Sequence, residues 1–267
     1  MFLSGLYRYP VKSCQAQSLE ASAVDLLGLR GDRRWLVVEA SNGRFLTQRA
    51  WPRLTQLKAS LGEAGRLLLE APGQTPLEVA VPADDEDLRG VTIWRDTLRV
   101  PDAGDEAAGW LSELLGKPVR LVYCPEQRAR YLPSGYGLNS DRAAFPDGFP
   151  LLLIGQGSLD ELNRRVGREL EMLRFRPNLV VHGAEPFAED GWKRIRIGEM
   201  TFRVLKPSVR CILTTLDPRT GERSADREPL ATLKTFRERD GDVLFGQNLA
   251  VDGSGEIALG MEVEVLK

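Results

Sequence analysis

The feature that most restricts how this chain can fold is the close recurrence of strand-length apolar runs, each closed by Gly, Pro, Asp or Asn. Up to Val100 such runs occupy residues 2–9, 23–27, 34–39, 45–48, 56–61, 66–70, 77–81 and 91–100. Pro10 stops the first, and Gly31-Asp32 and Ser41-Asn42-Gly43 supply turns between later ones. Neighbouring runs of this kind pair as meander-like β structure. The acidic stretch Asp84-Asp85-Glu86-Asp87 fits a solvated loop among them. A second group, residues 151–154, 179–181, 194–197, 201–205, 209–216, 244–251 and 261–266, has enough strands to close much of a barrel.

Helical spacing interrupts this pattern only locally. Residues 105–115 place Trp110, Leu111, Leu114 and Leu115 on one face, and Gly116 and Pro118 end the helix. After the buried-type strand 151–154, Gly155-Gln156-Gly157-Ser158 leads into a helix with Leu159, Leu162 and Val166 on one face. Ser158 and Glu161 are spaced there as a capping box. Residues 228–237 form a short helix with Pro229 in its first turn. Between the strand at 119–123 and residue 150 lies a long polar stretch rich in Arg, Tyr, Gly and Asp. Loops of that length border sites or serve as linkers, and this one is the candidate substrate-side loop. The cut between two β-rich parts falls near it, giving residues 1–120 and 121–267.

Composition removes several function classes. A formal net charge of −2 offers no global basic field for nucleic acid, so any anion site must be a local Arg and Lys cluster. Cys14, Cys124 and Cys211 form no close-spaced pair, which argues against zinc and against an iron–sulfur cluster in this chain and fits a reducing cytoplasm. His182, the single histidine, follows an apolar run and reads as structural. Nothing resembles a signal peptide, and no stretch is long and apolar enough for a membrane span.

Chemistry concentrates at residues 206–221, Lys-Pro-Ser-Val-Arg-Cys-Ile-Leu-Thr-Thr-Leu-Asp-Pro-Arg-Thr-Gly. Residues 209–216 read as a strand carrying Cys211, with Asp217, Pro218 and Gly221 as a turn opening a hairpin. Strand alternation puts Arg210 on the face opposite Cys211 unless the backbone bulges. Such a thiol is either a small buried hydrophobe or a reactive group, and the local pattern leaves both open. Elsewhere, Lys12 and Ser13 offer an ammonium and a hydroxyl at a polar corner. Arg176-Pro177-Asn178 places a guanidinium beside an amide, and the helix start at Gly157 and Ser158 points NH groups at a potential anion. Gln247 and Asn248 are polar groups within a strand and require partners if buried.

Four of these stretches, residues 9–14, 32–38, 175–181 and 206–221, resemble the motifs of the MOSC superfamily, in the branch containing the mitochondrial amidoxime-reducing proteins and their bacterial relatives. The resemblance implies a mainly β (α+β) fold, a MOSC-type β-barrel with an associated N-terminal β-rich domain and a few helices. It implies that the Cys211 thiolate ligates the molybdenum of a molybdopterin cofactor, a soft ligand suited to that metal, and is the catalytic residue. Lys12, Ser13, Arg33, Gly157, Ser158, Arg176 and Asn178 would bind phosphate and pterin, with Arg34 as the alternative to Arg33. Ser208 would face the metal's other ligands, and Gln247 and Asn248 would touch cofactor or substrate. Gln156 carries over less directly, and Asp217 stays a turn residue.

The activity implied is a molybdenum-dependent oxidoreductase reducing small N-hydroxylated compounds: amidoximes, hydroxylamines and N-hydroxylated bases. Because the sequence ends at Lys267 without a cysteine-rich domain, electrons would come from a separate donor, a ferredoxin or a b-type cytochrome with its reductase. The alternative is a sulfur or cofactor carrier that uses Cys211 without turnover. The family also carries an association with pyridoxal phosphate binding.

Overall fold

In the computed structural model, which describes residues 1–85 and 87–267, the largest sheet is built around two eleven-residue strands, Met200–Arg210 and Asp242–Asp252. They pair antiparallel from Thr201↔Asp252 to Arg210↔Val243. Buried Met200 and Phe202 alternate with Thr201 and Arg203, the period of a sheet with one face in the core. Outward from this pair the sheet continues through Leu151–Gly155, Leu179–His182 and Phe2–Arg8 on one side and Arg194–Ile197 and Val263–Val265 on the other. A bridge between Phe2 and Glu262, with Leu3 N donating to Met261 O at 2.9 Å, ties the first strand to the last and closes the barrel. The fold is mainly β, with helices α1 (Asp105–Leu115), α2 (Gln156–Val166) and α3 (Leu230–Arg237).

Each helix has a packing reason. Leu151–Gly155 and Leu179–His182 run parallel, so they need a crossover, and α2 supplies it. Leu159 and Leu162 of α2 and Leu233 of α3 cover Ile154, Phe175 and Phe245 on the barrel's outer face. α1 runs over the expected residues and lays Leu111, Leu114 and Leu115 on Trp35, Val37 and Leu121 of the antiparallel pair Trp35–Glu39 and Val119–Tyr123. Gly116 ends it at φ 68°, a conformation glycine adopts without a Cβ clash. Among the described residues no helix is long and apolar enough to cross a membrane.

Strand pairing joins the part before residue 120 to the part after it. Phe2–Arg8 pairs with Leu179–His182, and Ala21–Asp25 pairs with Gly255–Ala258. Leu3, Leu6, Val24 and Leu29 accordingly sit in one core with Leu153, Phe202 and Val263. The corner after Pro10 is thereby delivered to the open end of the barrel.

Several expected elements come out differently. The run at 91–100 is a hairpin, Leu88–Ile93 against Asp96–Pro101, turning at Trp94-Arg95 with Trp94 at φ 54°. That turn lacks the Asn or Gly that marks such turns in sequence. Residues 45–48 form no strand, only a bridge from Phe45 to Val38. The strand expected at 209–216 instead ends at Arg210, and Ile212–Thr215 is a 3₁₀ turn. Thr214 and Thr215 hydroxyls donate to the carbonyls of Cys211 and Ile212 at 3.0 and 2.8 Å, a local alternative to strand pairing. The hairpin after Leu216 shrinks to one bridge with Arg223. Asp217 is the turn residue expected, accepting from Arg219 N and Thr220 N. Of the acidic stretch at 84–87, Glu86 lies outside the described residues.

Candidate functional site

A cleft of about 310 Å³ opens where the barrel end meets the amino-terminal part, and Cys211 stands on its rim. Of the three cysteines it is the exposed one. Burial pushes the Cys14 thiol up to about 12 and the Cys124 thiol to about 11, which leaves both protonated and inert.

The floor is cationic and rests on aromatic faces. Tyr9, 1% exposed, donates its hydroxyl to Pro177 O at 3.0 Å, which fixes its ring. Arg33 and Arg176 lie over that ring at 4.4 and 4.2 Å. Arg33 is held by Asp32 at 2.5 Å, by Asn178 Oδ1 at 3.0 Å and by Arg176 O at 3.2 Å. Arg176 donates one Nη1 bond to Cys14 O at 2.8 Å, and its Nη2 is buried without a protein partner. Burial lowers the pKa of Arg176. Ser13, Arg33 and Arg176 all line the cleft with φ of 68°, 46° and 55°, left-handed conformations that side chains rarely adopt. Backbone strain of this kind collects at ligand sites.

Arg210 completes the floor. Its Nε donates to Phe245 O at 2.8 Å and its Nη1 to Phe175 O at 3.2 Å, while Nη2 is buried and unpartnered. Burial lowers its pKa to about 10. The expectation that Arg210 faces away from Cys211 is overturned. Register shifts between Val204 and Lys206 and between Pro207 and Val209 bulge the strand, and it stops at Arg210, so both residues line the cleft.

One wall carries Lys12, 6% exposed, with Nζ 2.5 Å from Asp147 Oδ1. Burial lowers the Lys12 pKa to about 8, against the opposing pull of Asp147. Desolvation works the other way on Asp147, yet Lys12, the Trp94 indole at 3.1 Å and Arg49 together hold its carboxyl well below the usual range. Arg49 lies over the Trp94 ring at 5.0 Å and brings Nη1 to 3.9 Å from Cys211 Sγ. Ser208 and Asn248 line the opposite wall, and Asn248 Nδ2 donates to Lys206 O at 3.3 Å.

Eight of the residues singled out in the sequence thus meet here: Lys12, Ser13, Arg33, Arg176, Asn178, Ser208, Cys211 and Asn248. Asn178 is fully buried. Its Oδ1 accepts from Leu152 N and Arg33 while its Nδ2 donates to Tyr7 O, which makes it a support for Arg33. Arg33, not Arg34, faces the cleft, and Arg34 donates to Cys124 O at 2.7 Å.

Gly157, Ser158 and Gln247 do not line the cleft. The capping box is absent: Gly155 is the N-cap without a side-chain bond, and Glu161 pairs with Arg164 and Arg165. The α2 start already has an anion, the carboxylate of Glu189, which accepts from Gly155 N at 3.1 Å and from Ser158 Oγ at 2.8 Å. Burial pushes the Glu189 carboxyl up despite those donors. Gln247, 2% exposed, donates to Asp190.

Arg49, Asp147, Phe149, Arg174 and Lys206 also line the cleft, unanticipated as residues. Asp147 and Phe149 belong to the long polar stretch, so the segment was legible though its members were not. No local pattern marks Arg49, and Lys206 carries no assigned role although it opens the stretch 206–221. Among the described residues no three His, Cys, Asp or Glu gather as a metal site, so a metal here would take Cys211 and draw its other ligands from a bound group.

Residues 1–118 match the family model of the MOSC N-terminal beta barrel domain and residues 140–264 that of the MOSC domain. The chain is 35% identical to the mitochondrial amidoxime reducing component 2 of Rattus norvegicus, over 97% of this chain and 81% of that protein. It is 33% identical to the mitochondrial amidoxime-reducing component 1 of Danio rerio, over 96% of this chain and 82% of that protein. Similarity to the molybdenum cofactor sulfurase of Oryza sativa subsp. japonica, 32% over 98% of this chain, covers 34% of that protein.

Proposed function

The chain belongs to the MOSC family, an N-terminal MOSC beta barrel region leading into a MOSC domain, and on that premise we propose that it is a molybdenum-cofactor-dependent reductase of N-hydroxylated compounds. Its substrates are amidoximes, hydroxylamines and N-hydroxylated bases, and its electrons come from a separate donor protein, a ferredoxin or a b-type cytochrome with its reductase. The observation that carries this reading is an exposed thiol above a floor where Arg176 Nη2 and Arg210 Nη2 are buried without protein partners. A phosphate-bearing pterin that holds molybdenum asks for both features: donors for its oxygens and a soft ligand for the metal.

In this reading Cys211 is the protein's ligand to molybdenum. Arg33, Arg176 and Arg210 receive phosphate and pterin oxygens, with Ser13, Ser208 and Asn248 along the walls. The cofactor, when bound, supplies the electron pair that breaks the N–O bond, so that N–OH with two electrons and two protons becomes N–H and water. Lys12 carries a proton at the wall, and Asp147 fixes its position. Asn178 holds Arg33, and Ser158 acts on the cleft only through the packing of α2.

The test is to purify wild type and Cys211→Ala from a host that makes the cofactor, then measure molybdenum per chain and benzamidoxime reduction by reduced viologen dye. Metal and turnover in wild type alone support the reductase. The similarity of nearly the whole chain to part of a molybdenum cofactor sulfurase favours a second reading, a sulfur or cofactor carrier. Metal without turnover would select a cofactor carrier, and no metal in either protein would end the reductase.

A further inference from the structure

Arg49 and Lys206 differ from the other cations of the cleft. Arg33 and Lys12 each meet a carboxylate, and Arg176 and Arg210 have protein carbonyls. Among the described residues Arg49 and Lys206 form no ion pair within 4.0 Å, although Asp147 is near enough to Arg49 for the guanidinium to lower its pKa. Each is instead laid on an exposed aromatic ring. Arg49 lies over Trp94 at 5.0 Å, and Lys206 over Tyr136 at 4.9 Å, rings that are 45% and 37% exposed. An aromatic face fixes a cation without neutralising it, so the remaining NH donors keep their charge for a ligand.

The two come from different segments and flank the same opening. Trp94 is the tip of the hairpin Leu88–Ile93 and Asp96–Pro101, and Tyr136 stands in the long polar stretch, edge-on to Phe149 at 5.7 Å. The register shift after Val204 pairs Lys206 with Asn248 on one wall, and Arg49 reaches within 3.9 Å of Cys211 Sγ. Both are half-buried and line a recess rather than a convex face, which fits a small ligand better than a protein surface.

We propose that Arg49 and Lys206 form a second anion subsite, at the cleft mouth, which takes a carboxylate or phosphate carried by the substrate. This deepens the reductase reading and rests on it: the substrates are N-hydroxylated compounds with an anionic group one ring or short chain away from the N–OH. Phe149, Pro207 and Val209 lie along the same wall and offer apolar surface to the body between those two groups.

The test compares benzamidoxime with 4-carboxybenzamidoxime, and binding of their products benzamidine and 4-carboxybenzamidine, in holoenzyme of wild type, Arg49→Gln and Lys206→Gln. Wild type should favour the carboxylate in kcat/KM and in calorimetric affinity. Each substitution should cut that preference about tenfold, the worth of one charge-assisted hydrogen bond, and added salt should weaken it. Equal affinity for the two products in wild type, or a preference that survives both substitutions, overturns the subsite. Loss of all reduction with the binding preference intact would count against the reductase reading and leave the subsite standing.

Discussion

Lys12 Nζ sits 2.5 Å from Asp147 Oδ1, although 135 residues separate them, and the pair joins the first corner of the chain to the long polar stretch. The lysine side chain is 7% exposed and the aspartate side chain 68%, and burial acts on both groups, lowering the lysine and opposing ionisation of the aspartate. Its pKa drops from the ordinary 10.5 to about 8. Below that value the ammonium is charged and can hold an anion. As pH rises through about 8 the charge is lost, so the affinity of the cleft for an oxoanion probe such as inorganic phosphate should fall there. Calorimetric titration across that range checks it, and Lys12→Met should bind more weakly and show no such step.

The same shift fixes the sign of a stability effect. Between about 8 and 10.5 the unfolded chain binds the Lys12 proton and the native one does not, so the lysine's cost is full below the window and vanishes as pH rises through it. Wild type should therefore gain stability relative to Lys12→Met over that interval in urea unfolding. Asp147 contributes stability where Lys12 contributes a cost: its depressed pKa stabilises above the usual carboxylate range, and that gain is lost as pH falls. Asp147→Asn leaves a buried ammonium unpaired and should cost about 1–2 kcal/mol near neutrality, less than for a fully buried pair because the aspartate side chain is exposed.

Cys211 lies past the end of its strand and is exposed, whereas Cys14 and Cys124 are buried. An aromatic disulfide reagent should therefore modify one thiol per native chain, none in native Cys211→Ala, and the remaining thiols only after unfolding. Because the side chain supports no packing, Cys211→Ala should change stability by no more than about 0.5 kcal/mol. Rapid modification of a second native thiol would contradict the burial of Cys14 and Cys124.

What could be read from the sequence and what could not follows from the range of the forces involved. α1 was legible to its ends because its apolar face, Gly116 and Pro118 are all local signals. Residues 209–216 looked like a strand by side-chain type, but Thr214 and Thr215 bond back to the preceding carbonyls and turn the chain just after Cys211. Arg33, Arg176 and Asn178 were found through motifs. Arg49 was not, since its link to Cys211 spans 162 residues and leaves no local pattern. The α2 start looked like an anion site and is one, but the anion is Glu189, 31 residues away from Ser158.

That last relationship separates two roles that sequence alone assigns together. Ser158 Oγ, fully buried, donates to Glu189 and accepts from Phe187 N at 2.8 Å, so Ser158→Ala removes a donor and an acceptor at once. The loss should be about 2–3 kcal/mol of stability, since each buried partner left unsatisfied costs its desolvation. If Ser158 works only through this packing, molybdenum retained per chain should match wild type at a temperature where the variant is folded. Arg176→Met should do the reverse, because Arg176 lines the cleft and its buried Nη2 has no partner in the protein. Metal retention should fall several-fold with the fold intact by circular dichroism. Equal loss of metal in both variants would restore the α2 start as a cofactor contact and refute the assignment of its anion site to Glu189.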